Sequence, residues 1–389
     1  MDTSIYCFAT DFADEGVEAV LDNVQHRGGL GGVTFAAAYH DGRDVFPHNP
    51  VHKVRFLEGG AVFFEPHALR ETRLQPPVSG VAHVTPELLA AAERRGLTVR
   101  AWTVFLHNGA LAAAHPDCAP ENAFGDRYVT DLCPAHPDVR AFAVALAADV
   151  AGLGVATICA ESLHYHPLEH GYAHERYFVP LGQRVRYLLG LCFCAHCLDA
   201  ARRSGVDGDA VRRAAREEIE RVFEGGAEPA VEELERDELA GYLRVREEIV
   251  SSLVADVAAA ARAGGAGVEF IEPSGAVKGY ATGRPTGAPA PSIAWQLGID
   301  VAAVASACEG ISAVGYAADP ERVRGDLEAY GNAAVSAIFR PTTPDCESPD
   351  DLRAKVELAR ERGLRRTDFY HYGFMRLDAL DWIRAALAP

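Results

Sequence analysis

Three cysteines lie within six positions near the middle of the chain, as Cys192, Cys194 and Cys197 in a C-x-C-x-x-C pattern. Thiolates this closely spaced can converge on one tetrahedral Zn²⁺ when a fourth ligand comes from elsewhere. The candidates for the fourth ligand are Cys133, Cys118 and His196. An ion held by four protein ligands has no open position, so its role would be structural. Buried cysteines that bind nothing are the alternative.

Two glutamates stand where short β-branched and apolar segments end. Glu161 directly follows segment 155–160, and Glu272 directly follows segment 267–271. Neighbouring strands of a sheet lie about 4.8 Å apart, so two carboxylates at one sheet edge could bracket a scissile bond. Such a pair can supply a general acid/base together with a nucleophile or a base that activates water. The alternatives are an exposed rim residue for Glu161 and a hydrogen-bonding role for Glu272.

Polar or aromatic residues follow most of the other segments of this kind. Each of them alone is more typical of a loop or of a residue that caps the core, but together they are what a ligand pocket requires. The candidates for substrate binding are Asp11, His40, His107, Asn108, His164, Tyr165, Tyr316, Arg340, His371 and Tyr372. Trp295, which lies beyond a Gly- and Pro-rich loop at 281–292, is a candidate platform for stacking a sugar ring.

The elements that must position these residues alternate between short strands and amphipathic helices. This order predicts parallel strands joined by helical crossovers. The predicted strands are 4–10, 32–39, 97–105, 155–160, 267–271, 311–315, 334–339 and 367–372. Eight parallel strands close a barrel without leaving an edge, so we predict an α/β fold of the (β/α)8 TIM-barrel type. A doubly wound open sheet is the alternative, but no Gly-rich phosphate loop follows any strand.

Residues 161–266, between the fourth and fifth strands, are too many for one crossover. They contain the cysteine cluster and then a charged helical run at 208–248. We interpret them as an insertion in a single domain that spans residues 1–389. Mixed charge on these helices is typical of a solvated surface, and a subunit interface in a homo-oligomer is the alternative.

Composition limits the classes of partner. The formal net charge is −18, which repels nucleic-acid phosphates and anionic lipid, so we expect neither nucleic-acid nor membrane partners. We expect no signal peptide, and the clustering of nine cysteines favours reduced thiols in the cytoplasm. No Gly-x-Ser-x-Gly elbow, Walker loop or His-Glu-x-x-His pair is present, and no organic cofactor is evident.

One family shares the order of a strand that ends in a carboxylate, an irregular loop, C-x-C-x-x-C and charged helices. In this order the chain resembles the trimeric β-galactosidases of glycoside hydrolase family 42 and the glycoside-hydrolase-like barrels related to them. Segments 124–127 (FGDR), 132–134 (LCP) and 136–140 (HPDVR) resemble the family's sequence around a further zinc-binding cysteine. The resemblance covers roughly residues 95–210. It implies that Cys133 completes the zinc site and that Glu161 is the general acid/base.

The chain departs from this family at two places. Ala160 precedes Glu161 where the family has Asn, and segment 339–345 (FRPTTPD) has no Glu where the family has its nucleophile. Glu272 is therefore the best remaining second carboxylate. We expect a glycoside-hydrolase-like enzyme that acts on a small carbohydrate. The alternatives are a barrel lyase, isomerase or metal-dependent hydrolase that uses His107, His164 and His371, and a non-catalytic sugar-binding barrel.

Overall fold

Eight parallel strands form a closed barrel in the computed structural model, which describes residues 1–169, 174–235, 239–275 and 279–388. The strands, in chain order β1 to β8, are Asp2–Cys7, Gly32–Tyr39, Thr98–Val104, Thr157–Glu161, Gly267–Glu272, Gly310–Val314, Val335–Phe339 and Arg366–Phe369. Each strand pairs in parallel with the next, and β1 pairs with both β2 and β8, which closes the ring. The predicted (β/α)8 barrel is confirmed.

Helices follow the strands and cover the outside of the barrel. The α-helices are Ala9–Glu15, Val17–Asp22, Val84–Arg95, Gly109–Ala114, Pro137–Ala151, Gln183–Gly190, Ala195–Arg203, Gly208–Phe223, Ala240–Ala263, Val301–Ala307, Pro320–Ala329, Pro349–Glu361 and Asp378–Leu387. Three short strands lie between β2 and β3, at Gly42–Val45, Val54–Leu57 and Ala61–Val62. None of the helices in the described part of the chain is both long and apolar enough to cross a membrane.

Four of these helices lie between β4 and β5, and the cysteine cluster falls in this helical region, as predicted. The first of them begins at Gln183 and the last ends at Ala263, so the helices fill most of the segment at 161–266. The helix Ala240–Ala263 packs against Pro137–Ala151 and leads directly into β5. The assignment of the whole chain to a single domain stays a prediction.

The lumen of the barrel is polar towards the amino ends of the strands. Arg366 on β8 donates to both oxygens of Glu269 on β5, at 2.7 and 2.6 Å, and to Asp368 at 2.8 Å. Ser312 on β6 donates to Glu269 at 3.0 Å. Because side chains alternate along a strand, the neighbours of these residues face outward and pack against the helices. The apolar core therefore lies mainly between the barrel and its helices.

The first strand is shorter than predicted. It ends at Cys7, and a helix begins at Ala9. The carboxylate of Asp11 accepts a hydrogen bond from the backbone N–H of Phe8 at 2.8 Å, so Asp11 caps this helix instead of ending the strand. Asp11 is fully buried, and its other oxygen has no hydrogen-bond partner among the described residues. The structure therefore places Asp11 in a helix cap, and its contact with substrate stays a prediction.

Burial raises the pKa of Asp11 to about 8. The folded protein therefore holds a proton that the unfolded chain releases above about pH 4, so stability falls as the pH rises from about 4 to about 8. Asp11→Asn removes this ionisation and keeps an oxygen for the Phe8 N–H. As the pH rises across that window, we expect the free energy of unfolding of the variant to increase relative to that of the parent, by at most about 1.4 kcal/mol per pH unit.

The measurement is denaturant unfolding of both proteins at about pH 5 and about pH 8. Most of the expected change in the free energy of unfolding falls between these two pH values. A difference in free energy of unfolding that is the same at both pH values would contradict the prediction.

Candidate active site and cysteine cluster

A cavity of about 220 Å³ opens at the carboxyl ends of the strands. Active sites of (β/α)8 barrels are built at this end, from strand termini and the loops that follow. The residues that line the cavity are Tyr6, Trp102, Glu161, Ile271, Pro273, Val314, Tyr316, Ile338, Arg340 and Tyr370. Six of the eight strands thus contribute a side chain. Four of the described lining residues are aromatic, one is acidic (Glu161) and one is basic (Arg340). Of the predicted residues, Glu161, Tyr316 and Arg340 reach it.

Glu161 is the last residue of β4, and its carboxylate accepts a hydrogen bond from the indole N–H of Trp102 on β3. Burial raises the pKa of Glu161, while the Trp102 hydrogen bond and the nearby His107 imidazole lower it without cancelling the effect of burial. The next residue, Ser162, has a φ of 56°, in the left-handed region that non-glycine residues rarely adopt. Because burial has the largest effect on its pKa, the carboxyl group of Glu161 is protonated at a higher pH than an ordinary glutamic acid.

Aromatic rings form the walls around this carboxyl group. The ring of Trp102 lies 5.3 Å from that of Tyr6 and 5.6 Å from that of Tyr370, measured between centroids. The guanidinium of Arg340 stacks 4.2 Å from the centre of the Tyr316 ring. Arg340 also donates two hydrogen bonds of 2.6 Å to the buried carboxylate of Asp345, which offsets its charge. Flat aromatic faces beside hydrogen-bonding groups suit the mixed apolar and hydroxyl surface of a sugar.

The structure does not bring Glu272 to this cavity. Ala160 on β4 is paired with Phe270 on β5, so Glu161 and Ile271 share the inner face and Glu272 faces outward. Glu272 is 1% exposed. Its carboxylate accepts hydrogen bonds from the Ser274 backbone and hydroxyl, both at 2.8 Å, and from the Tyr330 hydroxyl at 2.6 Å. The predicted pairing of Glu161 with Glu272 is therefore wrong, because the two side chains lie on opposite faces of the barrel wall.

Four other predicted contacts are buried in packing instead. His371, 1% exposed, packs its ring 4.2 Å from that of Phe8. Tyr372 donates at 2.8 Å to Glu15, the last residue of the helix that Asp11 caps. Tyr165 lies at the cysteine cluster, with its hydroxyl 3.2 Å from Cys197 Sγ. Trp295 packs against Tyr187 with ring centroids 5.3 Å apart. None of these four lines the cavity described above.

The remaining predicted residues form a polar cluster on the loops after β2, β3 and β4. His40 lies with its ring centroid 4.7 Å from that of His107. Asn108 caps the helix Gly109–Ala114 by accepting from the Leu111 N–H at 3.0 Å. His164 lies 4.8 Å from His166, measured between ring centroids, and is 3% exposed. These residues are neighbours of one another but do not line the cavity around Glu161.

Trp102, Tyr6, Tyr370, Asp131 and His166 were not predicted as site residues. The alternation of β3 could have identified Trp102, because its indole must face the same side as the lumen residue Arg100, two positions earlier. Tyr6 stands in the same relation to Ser4 on β1. Asp131 and His166 lie in irregular loops, where no periodicity indicates direction.

The three cysteines of the C-x-C-x-x-C pattern converge, and Cys133, the fourth ligand implied by the family resemblance, joins them. Cys133 Sγ lies 3.8, 3.6 and 3.5 Å from the Sγ atoms of Cys192, Cys194 and Cys197. A tetrahedron with Zn–S bonds of about 2.3 Å has edges of about 3.8 Å, so these sulfur separations fit one metal ion. They exceed a disulfide bond of about 2.05 Å by far. The backbone N–H of Glu121 donates to Cys192 Sγ at 3.4 Å, as outer partners of metal thiolates do.

The other two candidates for the fourth ligand lie outside this cluster. Cys118 Sγ is 3.8 Å from His136, and the His196 ring lies edge-on to that of His136, with the ring centroids 4.3 Å apart. The cluster of Cys133, Cys192, Cys194 and Cys197 is buried and could hold a metal ion.

Comparison with solved structures identifies glycoside hydrolases with the same barrel. The catalytic domain of β-amylase from Paenibacillus polymyxa matches with a TM-score of 0.57 at 10% identity, covering 100% of this chain and 99% of that one. A β-galactosidase from the psychrophilic Marinomonas ef1 matches with a TM-score of 0.56 at 11% identity, over 99% of this chain and 58% of that one. α-L-Fucosidase isoenzyme 2 from Paenibacillus thiaminolyticus matches with a TM-score of 0.54 at 12% identity, over 99% of this chain and 49% of that one.

The chain thus spans only about half of the fucosidase and somewhat more of the β-galactosidase, but the whole of the β-amylase domain. At identities of 10 to 12% these similarities show the fold alone. No protein-family model matches the chain, and no curated protein matches its sequence. The structural neighbours are glycoside hydrolases built on a (β/α)8 barrel, whereas the resemblance to family 42 in particular is not confirmed.

Trp102→Phe tests the electrostatics of Glu161, because it removes the N–H donor and keeps an aromatic ring. The lost hydrogen bond favoured the charged carboxylate, so we expect the pKa of Glu161 to rise further, by about one unit for each 1.4 kcal/mol of lost interaction. Infrared difference spectroscopy of the protonated carboxyl stretch measures this pKa, with Glu161→Gln to assign the band.

Tyr6→Phe is the matched control for this measurement. Tyr6 lines the same cavity, and its hydroxyl has no hydrogen-bond partner in the described part of the chain. The control should leave the pKa of Glu161 near that of the parent. An unchanged or lower pKa in Trp102→Phe would show that the indole does not stabilise the charged form.

Proposed function

We propose that this protein is a glycoside-hydrolase-like enzyme that acts on a small carbohydrate, with Glu161 as its proton donor. One observation carries the proposal: a carboxyl group with a raised pKa lies in an aromatic cavity at the end of the barrel where such enzymes bind substrate. A carboxylic acid that keeps its proton towards neutral pH can protonate a glycosidic oxygen as the C–O bond breaks. The barrel of its structural neighbours is consistent with this role.

The environment of Glu161 supports both halves of an acid/base cycle. The Trp102 N–H binds one carboxylate oxygen and leaves the other to carry the proton to the leaving group. Once the proton is transferred, the same N–H and the nearby His107 favour the negative charge that remains. The carboxylate can then take a proton from the incoming water, which returns Glu161 to its acid form.

The second carboxylate of a two-acid mechanism is missing, because Glu161 is the only acid that lines the cavity among the described residues. Some glycosidases use a tyrosine or a group of the substrate itself as nucleophile. Burial raises the pKa of Tyr6, which disfavours its phenolate form. We propose that the substrate supplies the attacking group from the position next to its anomeric carbon, and Tyr316 and Tyr370, which also line the cavity, are the alternative nucleophiles. Water then displaces this group and gives its proton to Glu161.

The cysteine cluster fits a structural zinc ion held by Cys133, Cys192, Cys194 and Cys197. With four thiolates the ion has no open position, so it supplies stability to the loops after β3 and β4 and no chemistry. Reduced thiols at such a site also favour a cytoplasmic location. We further propose that the chain is related to family 42, that residues 1–389 form a single domain and that the protein forms a homo-oligomer.

Glu161→Gln keeps the size of the side chain and removes the transferable proton. We expect kcat/KM on a panel of aryl and natural glycosides to fall by about 10²- to 10⁴-fold, the usual contribution of a general acid. Glu272→Gln is the matched control, because it changes a buried glutamate outside the cavity. It should lower the free energy of unfolding by about 1–3 kcal/mol while turnover changes little.

Undiminished turnover in Glu161→Gln would remove this residue from the mechanism. Tight sugar binding by the parent protein without turnover of any glycoside would instead identify a barrel that only binds sugars.

Cys194→Ser tests the zinc site. The purified parent protein should contain about one equivalent of zinc by elemental mass spectrometry, as a four-ligand site requires. The variant should lose nearly all of it and unfold at a lower temperature. Cys118→Ser is the control, since Cys118 is also buried but lies outside the cluster. Equal zinc content in the two variants would contradict the assignment.

A further inference from the structure

A second group of ligand-type side chains lies on the loops after β3 and β4, away from the cysteines. His107 follows β3, Asp131 lies further along the same connection, and His166 follows β4. His107 Nδ1 is 2.8 Å from Asp131 Oδ1, and His166 Nδ1 is 3.0 Å from the same oxygen. All three side chains are 4 to 5% exposed. Two imidazole nitrogens and one carboxylate oxygen therefore meet in a buried place.

The separations match those of atoms that share a metal ion. Ligands at about 2.1 Å from an octahedral ion lie about 3.0 Å from each other on adjacent positions. Two histidines and one carboxylate on one side of an ion leave further positions open for water or substrate. A carboxylate that accepts hydrogen bonds from two imidazoles has similar distances, so the experiment must separate these two states.

The surroundings hold Asp131 in the orientation that a ligand needs. Thr130 Oγ1 donates to Asp131 Oδ2 at 2.8 Å, which leaves Oδ1 towards the histidines. A backbone bridge joins His107 and Asp131 directly. Metal-binding carboxylates are generally fixed by outer hydrogen bonds of this kind. His40 and Asp41 lie on another side of His107, in a second group of ligand-type atoms within 4.8 Å of one another.

We propose that His107, Asp131 and His166 bind a divalent transition-metal ion that is distinct from the ion of the cysteine cluster. The donor atoms differ in kind: two imidazole nitrogens with a carboxylate oxygen select Mn²⁺ or Fe²⁺, whereas four thiolates select zinc and disfavour manganese. The segment that leads to His107 runs beside Glu161, because Val104 pairs with Glu161 and the Phe105 N–H donates to the Glu161 carbonyl at 2.9 Å, so the ion would lie near the cavity that contains Glu161. Its open positions suit a substrate hydroxyl or carboxylate. Metal binding at this site does not depend on the proposed hydrolysis.

Mn²⁺ is the probe, because it avoids the thiolate site and its free form is counted by electron paramagnetic resonance. The full-length protein, dialysed against a chelator, should bind about one equivalent of Mn²⁺. Asp131→Asn keeps the shape of the side chain and removes its charge, and it should weaken binding at least tenfold. His83→Gln, which changes an exposed histidine elsewhere on the barrel, should bind Mn²⁺ like the parent. Equal affinity of Asp131→Asn and the parent, or no stoichiometric binding, would overturn the proposal.

A measurement on the unaltered protein covers the case in which the variants fail to fold. Fe²⁺ with ascorbate and oxygen oxidises side chains that bind the iron, and peptide mass spectrometry locates the added oxygen. Oxidation should concentrate on His107 and His166, and excess Mn²⁺ should protect both. Oxidation spread equally over exposed histidines such as His67 and His83, without protection by Mn²⁺, would mean that the cluster is a hydrogen-bonded network only.

Discussion

The pairing of Arg366 with Glu269 and Asp368 inside the barrel is the constraint on which the arrangement of the site depends. All three side chains are 6% exposed or less, and a buried charge without its partner is costly. Because Glu269 must face the lumen to reach Arg366, Ile271 also faces the lumen and Glu272 faces the helices. One ion cluster near the amino ends of the strands thus determines which residues of β5 reach the cavity at their carboxyl ends.

The consequence for chemistry is that Glu161 is the only acidic residue lining the cavity in the part of the chain that the structure describes. Glu161 continues the inner face of β4, where Trp102 can donate to it and burial raises its pKa. Aromatic rings surround this hydrogen bond, and a hydrogen bond is stronger where the local dielectric constant is low. The positive charge of Arg340 is offset by Asp345, so it does not strongly favour ionised Glu161. These features are the ones that the proposed role of Glu161 as a proton donor requires.

The cysteine cluster and the polar cluster share the same two connecting loops. Asp131 and Cys133 are two residues apart after β3, and Tyr165 and His166 are adjacent after β4. Tyr165 contacts Cys197, and His166 contacts Asp131. An ion on the four cysteines would therefore hold both loops in the position that brings the histidines together. Order in the cysteine cluster and geometry at the rim of the barrel are coupled through these short segments.

Local spacing determined the eight strands, the barrel, the position of Glu161 at a strand end and the three cysteines of the C-x-C-x-x-C pattern, whereas Cys133 as the fourth was implied by the resemblance to a known family. Those features depend on periodicity along a few residues, which a sequence displays directly. The face on which each strand residue lies was decided by the tertiary structure, because the lumen of this barrel is polar and reverses the usual expectation that apolar residues point inward. The same holds for His107, Asp131 and His166. They are far apart along the chain, and only closure of the barrel and the path of two irregular loops brings them within 3.0 Å of a common oxygen.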